Sequence, residues 1–403
     1  MENKPSVVMM GLGYIGLPTA ALIASRGLKV TGVDIRQGVV DTINKGQIHI
    51  VEPDLEGLVH KVVKDKNLYA STKPVSSDVY LVAVPTPFKG DHEPDLSYVM
   101  SAIKSIIPTL KKGALVILES TSPVGTTKKM EQFIYKERPE LKGHIFLAYC
   151  PERVLPGNIL NELKHNDRAI GGVDEISTKK AINFYKHFVV GTLHPTNAKT
   201  AEMVKLVENA SRDNQIAFAN ELSIICDKAE INVWDMIALA NKHPRVHILN
   251  PGTGVGGHCI AVDPWFIVSE FPKESPLIKK SRETNNYKTN WVLEKIKNEA
   301  LAFKVNKSKD PVIACMGLAF KPDIDDLRES PALFVTESLE KQGFKVLPVE
   351  PNLSENKDRK LTSYNDAVNQ ADIIVYLVAH NEFNNLEIDS KKIVLDFCGV
   401  LKK

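Results

Sequence analysis

The chain has 403 residues, 43% of them hydrophobic and 25% charged, with a formal net charge of +2. That length exceeds one comfortable hydrophobic core, so two or three domains are expected, and the charge balance gives no electrostatic basis for binding nucleic acid or a membrane surface. No apolar run approaches the roughly 20 residues of a membrane span, and Met1-Glu-Asn-Lys runs straight into a strand, leaving no room for a signal peptide.

The first apolar run, Ser6-Val-Val-Met-Met10, leads into Gly11-Leu-Gly-Tyr-Ile-Gly16 and then a helical pattern over 17–26. A second run over 28–33 ends at Asp34, 18 residues after the last glycine. Strand, GxGxxG, helix, strand, acid is the order of a dinucleotide site. Gly11, Gly13 and Gly16 permit the tight turn and close approach of a pyrophosphate to the helix N-terminus, and the carboxylate accepts hydrogen bonds from the adenine ribose. Asp34 would repel a 2′-phosphate, which favours NAD over NADP; Arg36 nearby reads as a solvated side chain.

Further strand-like runs over 79–84, 115–118 and 145–148 alternate with helix-length segments, the pattern of a doubly wound parallel sheet. Their ends carry Pro85-Thr-Pro87, Glu119-Ser-Thr-Ser-Pro-Val-Gly125 and Cys150-Pro-Glu-Arg-Val-Leu-Pro-Gly157. Ligands bind outside the carboxyl ends of such strands, so Thr86, Thr121, Glu152 and Arg153 are expected at one crevice.

Residues 197–230 read as one long helix without Pro or Gly, apolar on more than one face, which suggests burial between domains or subunits. Lys205, Asn209 and Arg212 share a stripe on it, either a solvated face or groups that stabilise an oxyanion. A shorter helix over 232–240 stops before Lys242-His-Pro-Arg245. Then comes Pro251-Gly-Thr-Gly-Val-Gly-Gly-His-Cys-Ile-Ala-Val-Asp-Pro264, with four glycines in six positions. A thiol on such a loop, near His258 and Asp263, reads either as a nucleophile held against a substrate or as a small buried thiol. His258 and Lys205 are the groups that would lower the pKa of Cys259. Cys150, Cys226, Cys315 and Cys398 lie in apolar or helical runs, and the absence of a CxxC pair fits reduced thiols in the cytoplasm. No set of Cys or His has metal-ligand spacing, since Pro244 interrupts the His243–His247 pair, so no metal is expected.

A helix over 276–304 and the linker Asn306-Lys-Ser-Lys-Asp310 precede a second α/β unit, with strands over 312–316, 345–349, 373–378 and 393–397. It lacks a second GxGxxG. In its first loop Lys321 and Arg328 could hold phosphates, with Asp325 and Asp326 orienting them. The expected fold is therefore two Rossmann-like doubly wound domains joined by a helical central region.

Together GLGYIG with Asp34, VPTP, ESTSPVG, CPERVLPG, AEMVKLVEN, GVGGHC with Asp263, and FKPDIDDLRESP resemble the UDP-sugar 6-dehydrogenases, the UDP-glucose and UDP-N-acetylhexosamine dehydrogenases. Ile48-His-Ile-Val-Glu-Pro-Asp-Leu55 and His243-Pro-Arg-Val246 are most similar to the branch acting on UDP-N-acetyl-D-mannosamine for bacterial surface polysaccharide such as enterobacterial common antigen. The resemblance implies an NAD-binding domain over 1–196, a helical catalytic and dimerisation region over 197–305, and a UDP-binding domain over 306–403. It implies a cytoplasmic homodimer, or a tetramer built from it, through the long helix. The implied chemistry is a four-electron oxidation of carbon 6 with NAD, through a thiohemiacetal and thioester on Cys259. Lys205 and Asn209 would flank the reacting oxygen, with Thr121, Glu152 and Asp263 organising water and thiol. Arg153, Val154, Arg212, Gly256, His243 and Arg245 would meet the sugar nucleotide; Phe320, Lys321 and Arg328 would bind the nucleotide or cofactor, and Tyr14, Ile15, Asp34, Thr86 and Thr121 the NAD. Ile260-Ala-Val262 stands where UDP-glucose enzymes commonly carry Leu-Pro-Lys, which favours an acetamido sugar: the mannosamine form, or its N-acetylglucosamine or N-acetylgalactosamine counterpart. The rivals are a two-electron hydroxy-acid dehydrogenase needing no thiol, and a non-catalytic sugar-nucleotide sensor.

Overall fold

The computed structural model describes residues 4–90, 92–154, 157–257, 259–353 and 360–401. The chain divides into two compact units, Met1–Val207 and Glu208–Lys403.

The first unit begins with β1 (Val7–Met10), α1 (Gly16–Ser25), β2 (Val30–Val33), α2 (Gln37–Asn44), α3 (Leu55–Lys64), β3 (Leu68–Ser71) and β4 (Val79–Val82). A two-residue hairpin, β5 (Phe88–Lys89) with β6 (Glu93–Pro94), leads to α4 (Ser97–Ile106), β7 (Leu115–Leu118), α5 (Thr126–Glu137) and β8 (Phe146–Tyr149). The remainder is α6 (Ile159–His165), β9 (Arg168–Gly172), α7 (Glu175–Tyr185), β10 (Leu193–Asn197) and the start of α8 (Ala198–Lys228). The sheet runs β10-β9-β8-β7-β4-β1-β2-β3. Strands β1, β4 and β7 are buried along their whole length, as continuous apolar runs require when helices cover both faces.

One feature departs from the parallel sheet expected. β8 and β9 pair antiparallel, with Tyr149 opposite Gly171 and Ala148 opposite Gly172. The chain thus re-enters the sheet, after the 7-residue α6, at the end it has just left. Strands β3 and β10 are absent from the sequence reading because neither is a clean apolar run; β10 is Leu-His-Pro-Thr-Asn, largely exposed at the sheet edge.

The second unit holds the rest of α8, then α9 (Val233–Ala240), α10 (Asp263–Glu270) and α11 (Pro276–Lys307). After these come β11 (Val312–Met316), α12 (Pro331–Lys341), β12 (Lys345–Val349), α13 (Tyr364–Gln370), β13 (Ile373–Tyr376) and β14 (Ile393–Asp396). The four strands form an all-parallel sheet in the order β12-β11-β13-β14. At 31 residues α8 is the long helix expected, and α9 is capped by Asn232, whose side chain accepts from the Trp234 and Asp235 amides. A buried network joins α8 to α11: Asp213 receives Arg282 at 2.6 Å and Asn285 at 2.7 Å. Lys288 is buried beside them, donating to Ser223 Oγ at 2.8 Å with its ammonium 4.1 Å from the Trp291 ring centre.

Candidate active site

After β1 the chain turns at Gly11, whose φ is 91° and where a Cβ would lie 2.5 Å from the Ala83 carbonyl oxygen. A Cβ on Gly16 would lie 1.9 Å from the Gly11 oxygen, so both glycines are required by the fold. Gly13 differs, because nothing in the protein lies within 4 Å of its missing Cβ. That open space at the head of α1 is where the motif needs backbone exposed to a pyrophosphate. Ile15 is the N-cap residue of α1, and Tyr14 is exposed beside it.

Asp34 ends β2, buried, with Oδ2 accepting from the Leu12 amide at 3.3 Å. Its Oδ1 accepts from the Arg36 amide at 3.0 Å and from Arg36 Nε at 3.3 Å. Arg36 is thus engaged with Asp34 rather than simply solvated. Thr86 is buried after β4, and Ser120 ties that loop to the one after β7, accepting from the Val84 amide at 2.9 Å and donating to its carbonyl at 2.7 Å. Thr121 follows, half-buried. The glycine turn, the open Gly13 position and an acceptor-rich Asp34 together fit NAD.

Beyond β8, Glu152 is buried and ion-paired to Arg168 Nη1 at 3.2 Å, while its Oε1 accepts from the Arg153 amide at 2.8 Å. The Arg153 guanidinium donates to the Asp167 carbonyl, and Val154 packs half-buried against the apolar core. Lys205 is half-buried in the first part of α8. Glu202, one turn earlier, is fully buried and accepts from the Gly125 amide at 2.5 Å and the Thr127 amide at 2.8 Å, at the N-terminus of α5.

In the second unit, Asn209 donates to Asp263 Oδ2 at 2.5 Å. This brings together two of the residues singled out in the sequence, one on α8 and one at the first position of α10. The Cys259 carbonyl accepts from the amides of Val262 at 3.0 Å and Asp263 at 2.8 Å, a turn that leaves Cys259 exposed at the head of α10. His258 lies outside the described residues. Arg212, His243 and Arg245 are exposed, and the Arg245 amide donates to His243 Nδ1 at 3.3 Å.

The glycine loop packs on the FKPDIDDLRESP segment. The Gly257 amide donates to the Arg328 carbonyl at 3.0 Å, and a Cβ on Gly256 would lie 2.4 Å from the Glu329 oxygen and 2.8 Å from Phe320 Cβ. Gly256 is therefore required by loop-on-loop packing. Arg328 is paired with Asp326 at 2.6 Å, and Lys321 lies 6.0 Å from the Phe320 ring centre. Phe320, Lys321, Thr253, Val378 and Cys398 line a cavity of about 400 Å³ within this unit.

Asp323, His380 and Glu382 lie within ligand distance of one another. The His380 ring is already engaged: Nδ1 accepts from the Asp323 amide at 3.0 Å and Nε2 donates to Glu350 at 3.1 Å. Glu119, Arg168, Tyr185, Glu202 and Glu350 went unread in the sequence. Arg168 left one signal, a charge opening the apolar run Arg-Ala-Ile-Gly-Gly.

Three family models of the UDP-glucose/GDP-mannose dehydrogenase family match in order: the NAD binding domain over residues 5–189, the central domain over 199–287 and the UDP binding domain over 314–403. A UDP-N-acetyl-D-mannosamine dehydrogenase of Campylobacter jejuni is 54% identical, over 99% of this chain and 100% of the relative. An NDP-N-acetyl-D-galactosaminuronic acid dehydrogenase of Ralstonia nicotianae is 49% identical, over 98% of this chain and 96% of the relative. Among solved structures, the UDP-D-ManNAc dehydrogenase of Pyrococcus horikoshii superposes with a TM-score of 0.89 at 39% identity, covering 99% of this chain and 96% of that one. With full-length identity of this order and all three family domains in sequence, the chain belongs to the UDP-glucose/GDP-mannose dehydrogenase family and is an NAD-dependent dehydrogenase.

Proposed function

We propose that the protein oxidises carbon 6 of UDP-N-acetyl-D-mannosamine to the uronate, removing four electrons with Cys259 as a covalent nucleophile. The observation that carries the reading is Cys259 itself: of the five cysteines it alone is exposed, on the turn that opens α10. NAD, when bound, accepts a hydride from carbon 6 in each of two oxidations. Between them the Cys259 sulfur adds to the aldehyde carbon, which retains the aldehyde and presents an sp3 carbon to the second oxidation. Water then adds to the thioester carbonyl, the carbon–sulfur bond breaks, and thiol and carboxylate are released.

Asn209, fixed by its hydrogen bond to Asp263, has the amide to stabilise oxygen at the reacting carbon, and Lys205, one helical turn away on α8, the charge. Glu152 takes the proton of the hydrolytic water, with Thr121 ordering that water. Arg153, Val154, Arg212, His243, Arg245 and Gly256 are assigned to the sugar nucleotide, and Phe320, Lys321 and Arg328 to its nucleotide end, a role supported by the cavity beside Phe320 and Lys321. The mannosamine substrate is favoured by the relative at 54% identity, while the relative at 49% makes N-acetylgalactosaminuronate chemistry the second reading.

The reading extends to assembly and organisation. Val207, Phe218 and Ile225 are exposed on α8, with Ile231 and Leu239 beyond it, apolar surface suited to pairing with a second copy. We take the working division to be 1–196, 197–305 and 306–403, and the compartment to be the cytoplasm; among the described residues no helix is long and apolar enough to cross a membrane.

The test is the NADH yield from limiting UDP-N-acetyl-D-mannosamine with excess NAD. Two NADH per sugar are expected, and one would remove the second oxidation. In Cys259→Ser, uronate formation is expected to stop; undiminished yield would exclude the thioester route. Parallel assays with the gluco and galacto epimers decide the sugar.

A further inference from the structure

Antiparallel pairing of β8 with β9 has a chemical consequence. Continuing the register three pairs past Tyr149 and Gly171 brings Glu152 opposite Arg168, the first residue of β9. The guanidinium then reaches in several directions at once. Nη1 meets Glu152 Oε2 at 3.2 Å and the Cys150 sulfur at 3.8 Å, and Nη2 donates to the Leu163 carbonyl at 3.0 Å. The plane lies 5.2 Å from the Tyr185 ring centre, and the Tyr185 hydroxyl donates to Glu119 Oε1 at 2.6 Å. Relative exposures of 3% for Arg168, 8% for Glu152, 3% for Glu119 and 0% for Tyr185 put the whole set inside the protein.

We propose that Arg168 and Glu119 are positioning residues for Glu152: the guanidinium fixes the direction of its carboxylate, and the charge of Glu119, present or absent, sets the field at the water that Glu152 activates. The proposal rests on the hydrolytic role given to Glu152 above.

The charge balance of the cluster supports it. Facing Glu119 are Glu152 from the loop after β8, Arg168 from β9, Cys150 from the end of β8 and Tyr185 from α7. Burial pushes the Cys150 thiol up to about 11 and the Tyr185 phenol well above its usual value, so both are neutral. One guanidinium therefore serves two carboxyls, and only Glu152 touches it. A buried carboxyl with no cation against it holds its proton. Glu119 is such a carboxyl: Oε2 has no hydrogen-bond partner among the described residues, and burial, with Glu152 adding to it, pushes the carboxyl up to about 7. As pH rises through that value Glu119 becomes charged, the field of that carboxylate favours removal of a proton from the water, and hydrolysis accelerates.

The experiment follows uronate release in single turnovers of the full-length enzyme with NAD and UDP-N-acetyl-D-mannosamine, from pH 5 to 9, alongside the NADH burst. Wild type is expected to show an inflection near neutrality in release but not in the burst. Glu119→Gln, nearly isosteric and able to accept from Tyr185, is expected to lose that inflection with KM unchanged. Arg168→Lys keeps the charge but not the fork, and is expected to slow release at least about tenfold with little change in KM. Should Arg168→Lys fail to fold, Glu119→Gln alone decides. Glu152→Gln separates the layers. If it releases uronate at the wild-type rate, the role of Glu152 fails. If it stalls after the burst while Glu119→Gln keeps the wild-type inflection, the positioning proposal is overturned and the role of Glu152 stands.

Discussion

Each unit contains a nucleotide-type sheet, its first two strands parallel, with a buried acid at the end of the strand after its glycine turn, and the two acids are engaged in opposite ways. Asp34 receives one main-chain amide from the turn, Leu12, and among the described residues its other hydrogen bonds come from its neighbour Arg36. Glu350 receives the Leu318 and Ala319 amides at 2.8 and 2.9 Å, the Asn352 amide at 3.1 Å and His380 Nε2 at 3.1 Å. Those donors hold the Glu350 carboxyl below the usual glutamate range against the opposing effect of burial. The same position in the same kind of fold thus keeps acceptor capacity in one unit and fastens a loop in the other. A carboxylate can bind a ligand only while the protein leaves it acceptor capacity.

The sharpest break in that comparison is Glu350→Ala. It strands two buried amides and a buried imidazole, and a loss of about 3–5 kcal/mol is expected in urea unfolding, with NAD affinity of the folded protein unchanged. Asp34→Ala should invert the pattern. NAD affinity is expected to fall about 10–100-fold while NADP gains relative to NAD, read by cofactor titration, with a thermal midpoint close to wild type. If the two variants showed the same split between stability and binding, the contrast would be wrong.

Lys288 tests a different buried charge in the second unit. Burial pushes it down to about 7 from an unfolded value of 10.5, so between those pH values the unfolded chain binds a proton that the folded one does not. Stability should therefore rise with pH across that window, and the rise should vanish in Lys288→Met. The Trp291 face and Ser223 partly offset the penalty, so about 1–2 kcal/mol is expected from melts at pH 7 and pH 9. Gly13→Ala is the smallest effect on folding. Its Cβ would meet nothing within 4 Å, so stability should change by less than about 0.5 kcal/mol while NAD binding weakens.

What the sequence made legible were features whose meaning is local. The GxGxxG turn, the acid after β2, the helix α8 and the thiol in a glycine loop each depend on neighbours a few residues away. Arg168 is different: its partner is set by the antiparallel register of β8 and β9, and no periodicity reports it. Glu202 looked like one more polar position on a long helix, yet it is fully buried because the loop before α5 folds over it. Gly256 was read for its closeness to a ligand, and the structure shows what else demands it, since Phe320 and the Glu329 carbonyl already occupy the space a side chain would take.

Glu202 bears on how the cofactor finds its seat. Every helix that starts at the carboxyl edge of a parallel sheet attracts phosphate, and a diphosphate arriving at such an edge has more than one plausible landing place. The protein plugs the start of α5 with an acidic side chain of its own, a neighbouring carboxyl bonded to the amides a phosphate would want. The start of α1 has no acidic residue in its first turn, and among the described residues no carboxyl is bonded to the amides of that turn. A berth filled from within is closed to a diphosphate, whatever the other berth offers.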